Sequence, residues 1–426
     1  MPTKRILLTS LFVLACTATP ALAAPGVQYG LQDDAWLAAG PGPNTLDARI
    51  GVLKKLGVKI VRYNLRWDQI AATEPASAQD PTDPAYDWST ADPVVNALHA
   101  AGIPVLLTIY GSPGWANGDK APSYAPTSAT SIADFAQAAA LHFPWAKKWA
   151  IWNEPNEIRW LRPVSPKTYV QKILNPAYTA LHEAISGVQV GAGVTAPRGN
   201  AGGMSPIAWI KGMAAAHAKL DAYAHNPYPS SAVETPFTGG CKYCTTVTMS
   251  TMPRLIAQVN ASFGRKPIWL TEYGYQTNPP DRTAGVSYAK QAVLTGEAAL
   301  RTYQLPQVTM IIHFLYRDEP ALGGWQSGFQ TVIGTIKPAF DAFRLPLAEV
   351  KRTGASTTLW GQIRPRSGAQ PYRLQQLKGG TWTTLGGQKL TSGAGFFTRS
   401  VKAGKGARFR VWSPRDSAYS PTITVA

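Results

Sequence analysis

Two glutamates stand where a chain would place reactive carboxylates. Glu154 lies in Trp152-Asn153-Glu154-Pro155-Asn156, and Glu272 in Trp269-Leu270-Thr271-Glu272-Tyr273-Gly274. Each follows a short apolar run with strand character, and residues that stop a strand come directly after it. Both carboxylates are therefore expected at the carboxyl ends of strands. Two such groups on different strands of one sheet make the pair that glycosidic hydrolysis requires: one acid, and one nucleophile or base. Taken singly, either motif also reads as a turn with a solvated Glu. The joint placement is what argues for chemistry.

The elements that must hold them are legible as a pattern. From residue 26 to about 346, apolar runs alternate with helical stretches. The runs are 27–31, 59–65, 103–110, 149–152, 188–194, 220–224, 267–271 and 308–315. Helical periodicity marks 46–56, 92–101, 132–142, 169–185 and 288–303, with a closing helix over 336–343. Eight alternations predict an α/β fold, a (β/α)8 TIM barrel, whose sites lie at the strands' carboxyl ends. Glu154 then ends strand 4 and Glu272 ends strand 7. Three units cover the 118 residues between them, about 39 per unit against roughly 31 in a plain barrel. Enlarged loops are thus expected on the reactive face. Beyond residue 346, short alternating runs separated by Gly predict a small antiparallel β-sandwich. Lys378-Gly379-Gly380-Thr381-Trp382 reads as a hairpin turn. The expected division is a signal peptide at 1–23, a catalytic barrel at 24–347 and a β-sandwich accessory domain at 348–426.

On these motifs the chain resembles the retaining glycosidases of clan GH-A. The Trp-Asn-Glu-Pro-Asn form is similar to that of glycoside hydrolase family 39 and its bacterial exopolysaccharide-hydrolase relatives, and also to families 5 and 30. The resemblance covers the barrel and rests on strand-end motifs. It implies Glu154 as general acid/base, Glu272 as nucleophile and Asn153 as a ligand of the sugar 2-hydroxyl. It also implies that Arg62 on strand 2 orients the nucleophile, and that His225 and Tyr228 at the end of strand 6 meet the substrate. Alone, Arg62 would read as a barrel-end ion-pair partner and His225 as a buried, hydrogen-bonded histidine. The clan often ends strand 8 with Trp; here His313-Phe314-Leu315-Tyr316-Arg317 stands instead. The implied activity is hydrolysis of β-linked carbohydrate by double displacement, with no metal or organic cofactor. The alternatives are a non-catalytic carbohydrate- or wall-binding barrel, and a transglycosylase using the same carboxylates.

Sugar rings stack on aromatic walls. Trp115, Trp160, Tyr316 and Trp325 are the expected walls, Trp115 foremost because it directly follows strand 3. Trp325 lies in a Gly-rich loop and is expected to be a movable wall. Tyr110, Tyr273 and Tyr275 belong to the same cluster. Asp33, Asp34 and Glu157 read as solvated or secondary contacts. In the tail, Trp360, Trp382 and Trp412 are expected between the two sheets, with a sugar-binding surface as the alternative.

Composition bounds the rest. Lys4 and Arg5, an apolar run over 6–15 and Ala21-Leu22-Ala23 have the form of a secretion signal. Cleavage after Ala23 is preferred to lipidation at Cys16. No later stretch is long and apolar enough for a transmembrane helix. In an exported chain Cys241 and Cys244 read as a local disulfide; a zinc site would need two further ligands. The formal charge is +17, of which residues 348–426 carry +11, from thirteen Lys/Arg against two Asp/Glu. A soluble, salt-screened surface is the preferred reading of that tail, with weak contact to an anionic cell-wall polymer, a membrane surface or, nonspecifically, nucleic acid as the alternatives. No motif for specific nucleic-acid recognition accompanies it.

Overall fold

The computed structural model describes residues 24, 26–38, 45–242 and 244–426. The expected signal peptide, with Cys16, lies outside the described residues. Eight strands form a closed barrel in chain order: β1 (Gln28–Gln32), β2 (Ile60–Arg66), β3 (Val105–Tyr110), β4 (Lys148–Ile151), β5 (Gln189–Thr195), β6 (Ala222–His225), β7 (Ile268–Tyr273) and β8 (Val308–Phe314). Neighbours are parallel throughout, and β8 closes on β1. The strands are buried on both faces, as a sheet covered by helices requires.

Alternation along each strand sorts its side chains. Ile60, Leu106, Ala150, Ala222, Ala224, Trp269, Met310 and Ile312 fill the barrel interior. Trp269 fits there because Gly191 faces it: a Cβ on that glycine would meet the indole at 2.5 Å. The opposite faces pack under the helices. Helix Leu46–Leu56 is capped by the Thr45 side chain and ends at Gly57, whose φ of 76° suits a glycine. The helix expected over 169–185 is broken. A π-turn, Val170–Leu174, joins Pro166–Tyr169 to Asn175–Ala184. Pro176 lies in the first turn of the last piece and has no N–H to continue the ladder.

The tail forms β9 (Leu347–Thr353), β10 (Ser356–Gln362), β11 (Pro371–Lys378), β12 (Thr381–Thr384), β13 (Lys389–Leu390), β14 (Phe396–Lys402), β15 (Arg408–Ser413), β16 (Ala418–Tyr419) and β17 (Ile423–Thr424). One sheet has the order β14-β10-β9. The other runs β12-β11-β15-β16, with β13 beside β11 and β17 beside β15. All these pairs are antiparallel. Leu347, Leu359 and Phe397 meet Leu374, Phe409 and Val411 in one core, so the sheets form a sandwich. Gly379 and Gly380, with φ of 53° and 79°, make the expected hairpin turn between Lys378 and Thr381. β9 has no counterpart in the sequence reading. Its last four residues are exposed, so its alternation is too short to register.

Trp360 is not between the two sheets. It is 1% exposed and packs with Phe396 against Tyr303, the last residue of helix Tyr288–Tyr303. The Arg364 guanidinium lies 3.6 Å from the Tyr29 ring and donates to the Phe343 carbonyl at 2.5 Å. Aromatic and cationic contacts thus seal the sandwich onto the barrel. Among the described residues no helix is long and apolar enough to cross a membrane.

Candidate active site

Arg62 is the hub. It points inward two residues after Ile60 and is 1% exposed. Its Nε donates to Thr108 Oγ1 at 3.0 Å, and Nη2 to Asn153 Oδ1 at 2.8 Å. Nη1 reaches the Thr271 carbonyl at 3.1 Å and Glu272 Oε1 at 2.5 Å. An arginine fixed on four sides is preorganised for a carboxylate in a way a lysine would not be. The other oxygen of Glu272 accepts from the Tyr228 hydroxyl at 3.1 Å. Burial and then the Glu272 charge raise the Tyr228 hydroxyl well above its ordinary value, so it remains a donor. The β7–β8 register shifts between Leu270 and Tyr273, an irregularity of the kind that re-aims a side chain.

Glu154 sits just beyond β4 on a strained turn. Trp152 and Glu154 have φ of 72° and 40°, a region L residues rarely occupy. The Glu154 amide donates to the carbonyl of Val194, whose own φ is 40°. Asn156 locks the turn. Its side chain accepts from the Ala196 amide at 2.8 Å and donates to the Met204 carbonyl at 2.9 Å. The Glu154 carboxyl is half-buried and pushed up to about 8, first by burial and next by the negative charge of Glu272. Asn226 Nδ2 donates to Glu154 Oε1 at 3.0 Å and pulls the other way. Asn226 is oriented in turn by Thr271 Oγ1, at 2.7 Å.

Both glutamates line a cleft of about 840 Å³, together with Asp34, Asn64, Tyr110, Asn153, Trp160 and Trp325. A second cavity of about 290 Å³ continues past Glu154 and Trp325, lined by Glu157, Asn200, Tyr228 and Gln276. Trp325 divides the two and stacks on Tyr228 with centroids 4.5 Å apart. Its loop is tethered. Lys337 Nζ binds Asp318 Oδ1 at 2.7 Å, Thr277 Oγ1 at 2.8 Å and the Gln326 carbonyl at 3.1 Å, all buried. The wall expected to be movable is therefore pinned at its base.

Several expected contacts lie elsewhere. His225 is fully buried, with Nδ1 on Thr195 Oγ1 and Nε2 on the Val247 carbonyl. Burial lowers it to about 4. Ala222 and Ala224 point into the barrel, so His225 points outward, under the loops, and Asn226 takes the position over the cleft. Trp115 does not line the cleft. It opens the short helix Gly114–Asn117 and turns back to donate to the Ala71 carbonyl and pack edge-on to Trp67. Tyr316 is 2% exposed and stacks on Trp36. Trp152 is buried and donates to the Trp160 carbonyl. Tyr273 is also buried and lines neither cavity, whereas Tyr275, though buried, lines the second one.

Asp33 is not solvated. It accepts from the amides of Trp36, Tyr316 and Arg317, and burial raises it to about 7. Asp34 faces the cleft, held by Asn64, and burial raises it to about 6. Glu157 accepts from Asn200 at 2.7 Å. Cys241 and Cys244 are paired, with Cα atoms 5.5 Å apart. Residues not singled out from sequence include Asn226, Thr108, Thr271 and Asn64. Strand parity was the available signal, since each lies two positions from an inward residue.

No family model matches the chain, and no curated protein matches it. Solved structures do. A family 39 glycoside hydrolase from the gut symbiont Bacteroides cellulosilyticus WH2 aligns at 16% identity and TM-score 0.59, over 89% of this chain and 81% of that one. A monomeric β-xylosidase from Caulobacter crescentus CB15 aligns at 13% identity and TM-score 0.55, over 90% and 97%. A family 39 enzyme from Xanthomonas axonopodis pv. citri aligns at 15% and 0.54, over 89% and 93%. The architecture is therefore a TIM barrel with a C-terminal β-sandwich. More particularly, it is the fold seen in family 39 glycoside hydrolases.

Proposed function

We propose that this chain is a secreted retaining glycosidase that cleaves β-glycosidic bonds, with Glu272 as nucleophile and Glu154 as acid/base. The observation that carries the reading is the asymmetry of the pair. Glu154 is driven up to about 8 and can hold a proton at neutral pH, while Glu272 sits against the Arg62 guanidinium at 2.5 Å. Opposed environments assign acid and nucleophile roles.

Glu272 attacks the anomeric carbon as the bond to the leaving oxygen breaks, and Glu154 gives that oxygen its proton. The resulting ester removes the Glu272 charge, and the affinity of Glu154 for a proton falls. Glu154 then takes a proton from water, whose oxygen attacks the anomeric carbon and releases Glu272 as carboxylate. Asn153 and Tyr228 flank the nucleophile and are placed to meet the sugar beside it. Trp160 and Trp325 supply ring surfaces. The β-linked class is supported by the named activity of the Caulobacter structure. Export is supported by the leader-like opening residues.

The test is trapping with a panel of 2-fluoro glycosides, followed by mass mapping. The label is expected on the peptide holding Glu272, and Glu272→Gln should fold, take no label and lose turnover. Wild-type turnover in that variant sinks the assignment.

A further inference from the structure

The larger tail sheet has an outer face that the sandwich core does not use. Leu374, Phe409 and Val411 point inward, so their neighbours along β11 and β15 point out. Cross-strand partners share a face: Arg373 with Trp412, Gln375 with Arg410, and Trp412 with Tyr419. On that face the Arg410 guanidinium lies 4.2 Å from the Trp382 ring and 3.8 Å from the Tyr419 ring. Tyr419 packs on Trp412 with centroids 4.4 Å apart. Gln375 fixes Arg410 through Nε at 2.8 Å.

Trp382 on β12 and Tyr419 on β16 thus flank the Arg410 guanidinium from β15, and Trp412, also on β15, continues the row from Tyr419. Tyr419 is 40% exposed and both tryptophans are half-buried, so the row meets solvent. Arg373 and Arg408 stand exposed beside it, and none of these positions is Asp or Glu. Trp382 and Trp412 are thus neither in the core between the sheets nor scattered.

We propose that this face docks an acidic polysaccharide. Its carboxylates pair with Arg373 and Arg408, and its sugar rings lie on the row anchored by Trp382 and Trp412. Apolar ring faces and a fixed guanidinium suit a pyranose bearing carboxylates. The +11 charge of residues 348–426 draws such a polymer in. The choice of a glycan over another polyanion rests on the glycosidase reading of the cleft.

The test uses the full chain carrying Glu272→Gln, titrated onto immobilised polygalacturonate at 0.15 M salt. Arg373→Glu/Arg408→Glu is expected to weaken binding at least tenfold, and Trp412→Ala about fivefold, with thermal midpoints of the first pair unchanged. The reversal Lys402→Glu/Lys405→Glu, on exposed cations elsewhere in the tail, should change binding less than twofold. Equal losses in that control overturn the proposal, because unspecific charge would then explain the binding. Equally tight binding of a single-stranded oligonucleotide overturns it too. Hydrolysis of a glycan without polygalacturonate binding removes the docking surface and leaves the enzyme. Binding without hydrolysis of any glycan keeps the surface and removes the enzyme.

Discussion

Glu272→Gln keeps the side chain's size and removes one negative charge beside Glu154. The native Glu154 stands at about 8 against an ordinary 4.5. That is about 3.5 pH units, or roughly 5 kcal/mol at ~1.4 kcal/mol per unit. Burial is the larger cause and survives the substitution; the Glu272 charge is the next and does not. At the ~5–5.5 Å spacing that the proposed retaining mechanism requires, and an effective dielectric of ~20, one charge is worth about 3 kcal/mol, or ~2 pH units. Glu154 in the variant should therefore titrate near ~6, still above an ordinary carboxyl. Carbon-13 NMR of protein labelled at Glu carboxyls reads this directly, with Glu154→Gln assigning the resonance. A value within ~0.5 unit of the native one would refute the reasoning, because the two carboxylates would then not feel each other. A value near 4.5 would refute it differently, by showing that burial contributes nothing.

The same group governs stability. Between ~4.5 and ~8 the folded chain holds a Glu154 proton that the unfolded chain has lost, so stability falls as pH rises through that window. Glu154→Gln should remove up to about 5 kcal/mol of this loss, read as a gain in thermal midpoint at pH 8 that is absent at pH 4.5; an equal gain at both would count against it. Asp33 and Asp34 are raised for the same reason and leave a residual slope of the same sign. Lys337→Met strands a buried Asp318 and should cost about 3–5 kcal/mol, with Asp318→Leu in the same chain restoring part of it in urea denaturation. Trp325→Ala removes a wall of both cavities and should raise KM roughly tenfold, the equivalent of ~1.4 kcal/mol of lost stacking. An unchanged KM on a cleaved substrate would place the sugar away from that ring.

The barrel was legible because its strands are short runs apolar on both faces, set between amphipathic helices. Each of the eight runs lies within two residues of an observed strand at either end. Within the site, Arg62 within β2 and Asn153, Glu154, Tyr228 and Glu272 at or just past strand ends carry distinctive side chains, and the structure brings them into one hydrogen-bonded group, Glu154 joining through Asn226 and Thr271. Asn226, rather than the histidine beside it, meets Glu154. Residue type draws attention to His225, whereas the pleat gives the cleft to its neighbour. Trp115 failed for a related reason. Adjacency to a strand end fixes where a Cα lies, not which way a large ring turns, and the helix it opens sends it onto Trp67. For Trp412 the alternation with Phe409 and Val411 was the signal, since it puts the ring on the face of Arg408 and Arg410; Trp360 had none separating the sandwich core from the barrel seam. That distinction depends on which sheet edge meets helix Tyr288–Tyr303.

The seam of Tyr303, Trp360 and Phe396 has a consequence for how the protein withstands proteolysis. Neither body owns that greasy patch, and each hides the other's share of it. A protease that nicked the junction and released the tail would leave every residue of the cleft in place, yet lay an aromatic scar open to water. The shortened product is expected to clump on standing rather than to lose the residues of its cleft, so its working lifetime would be set by the intact join.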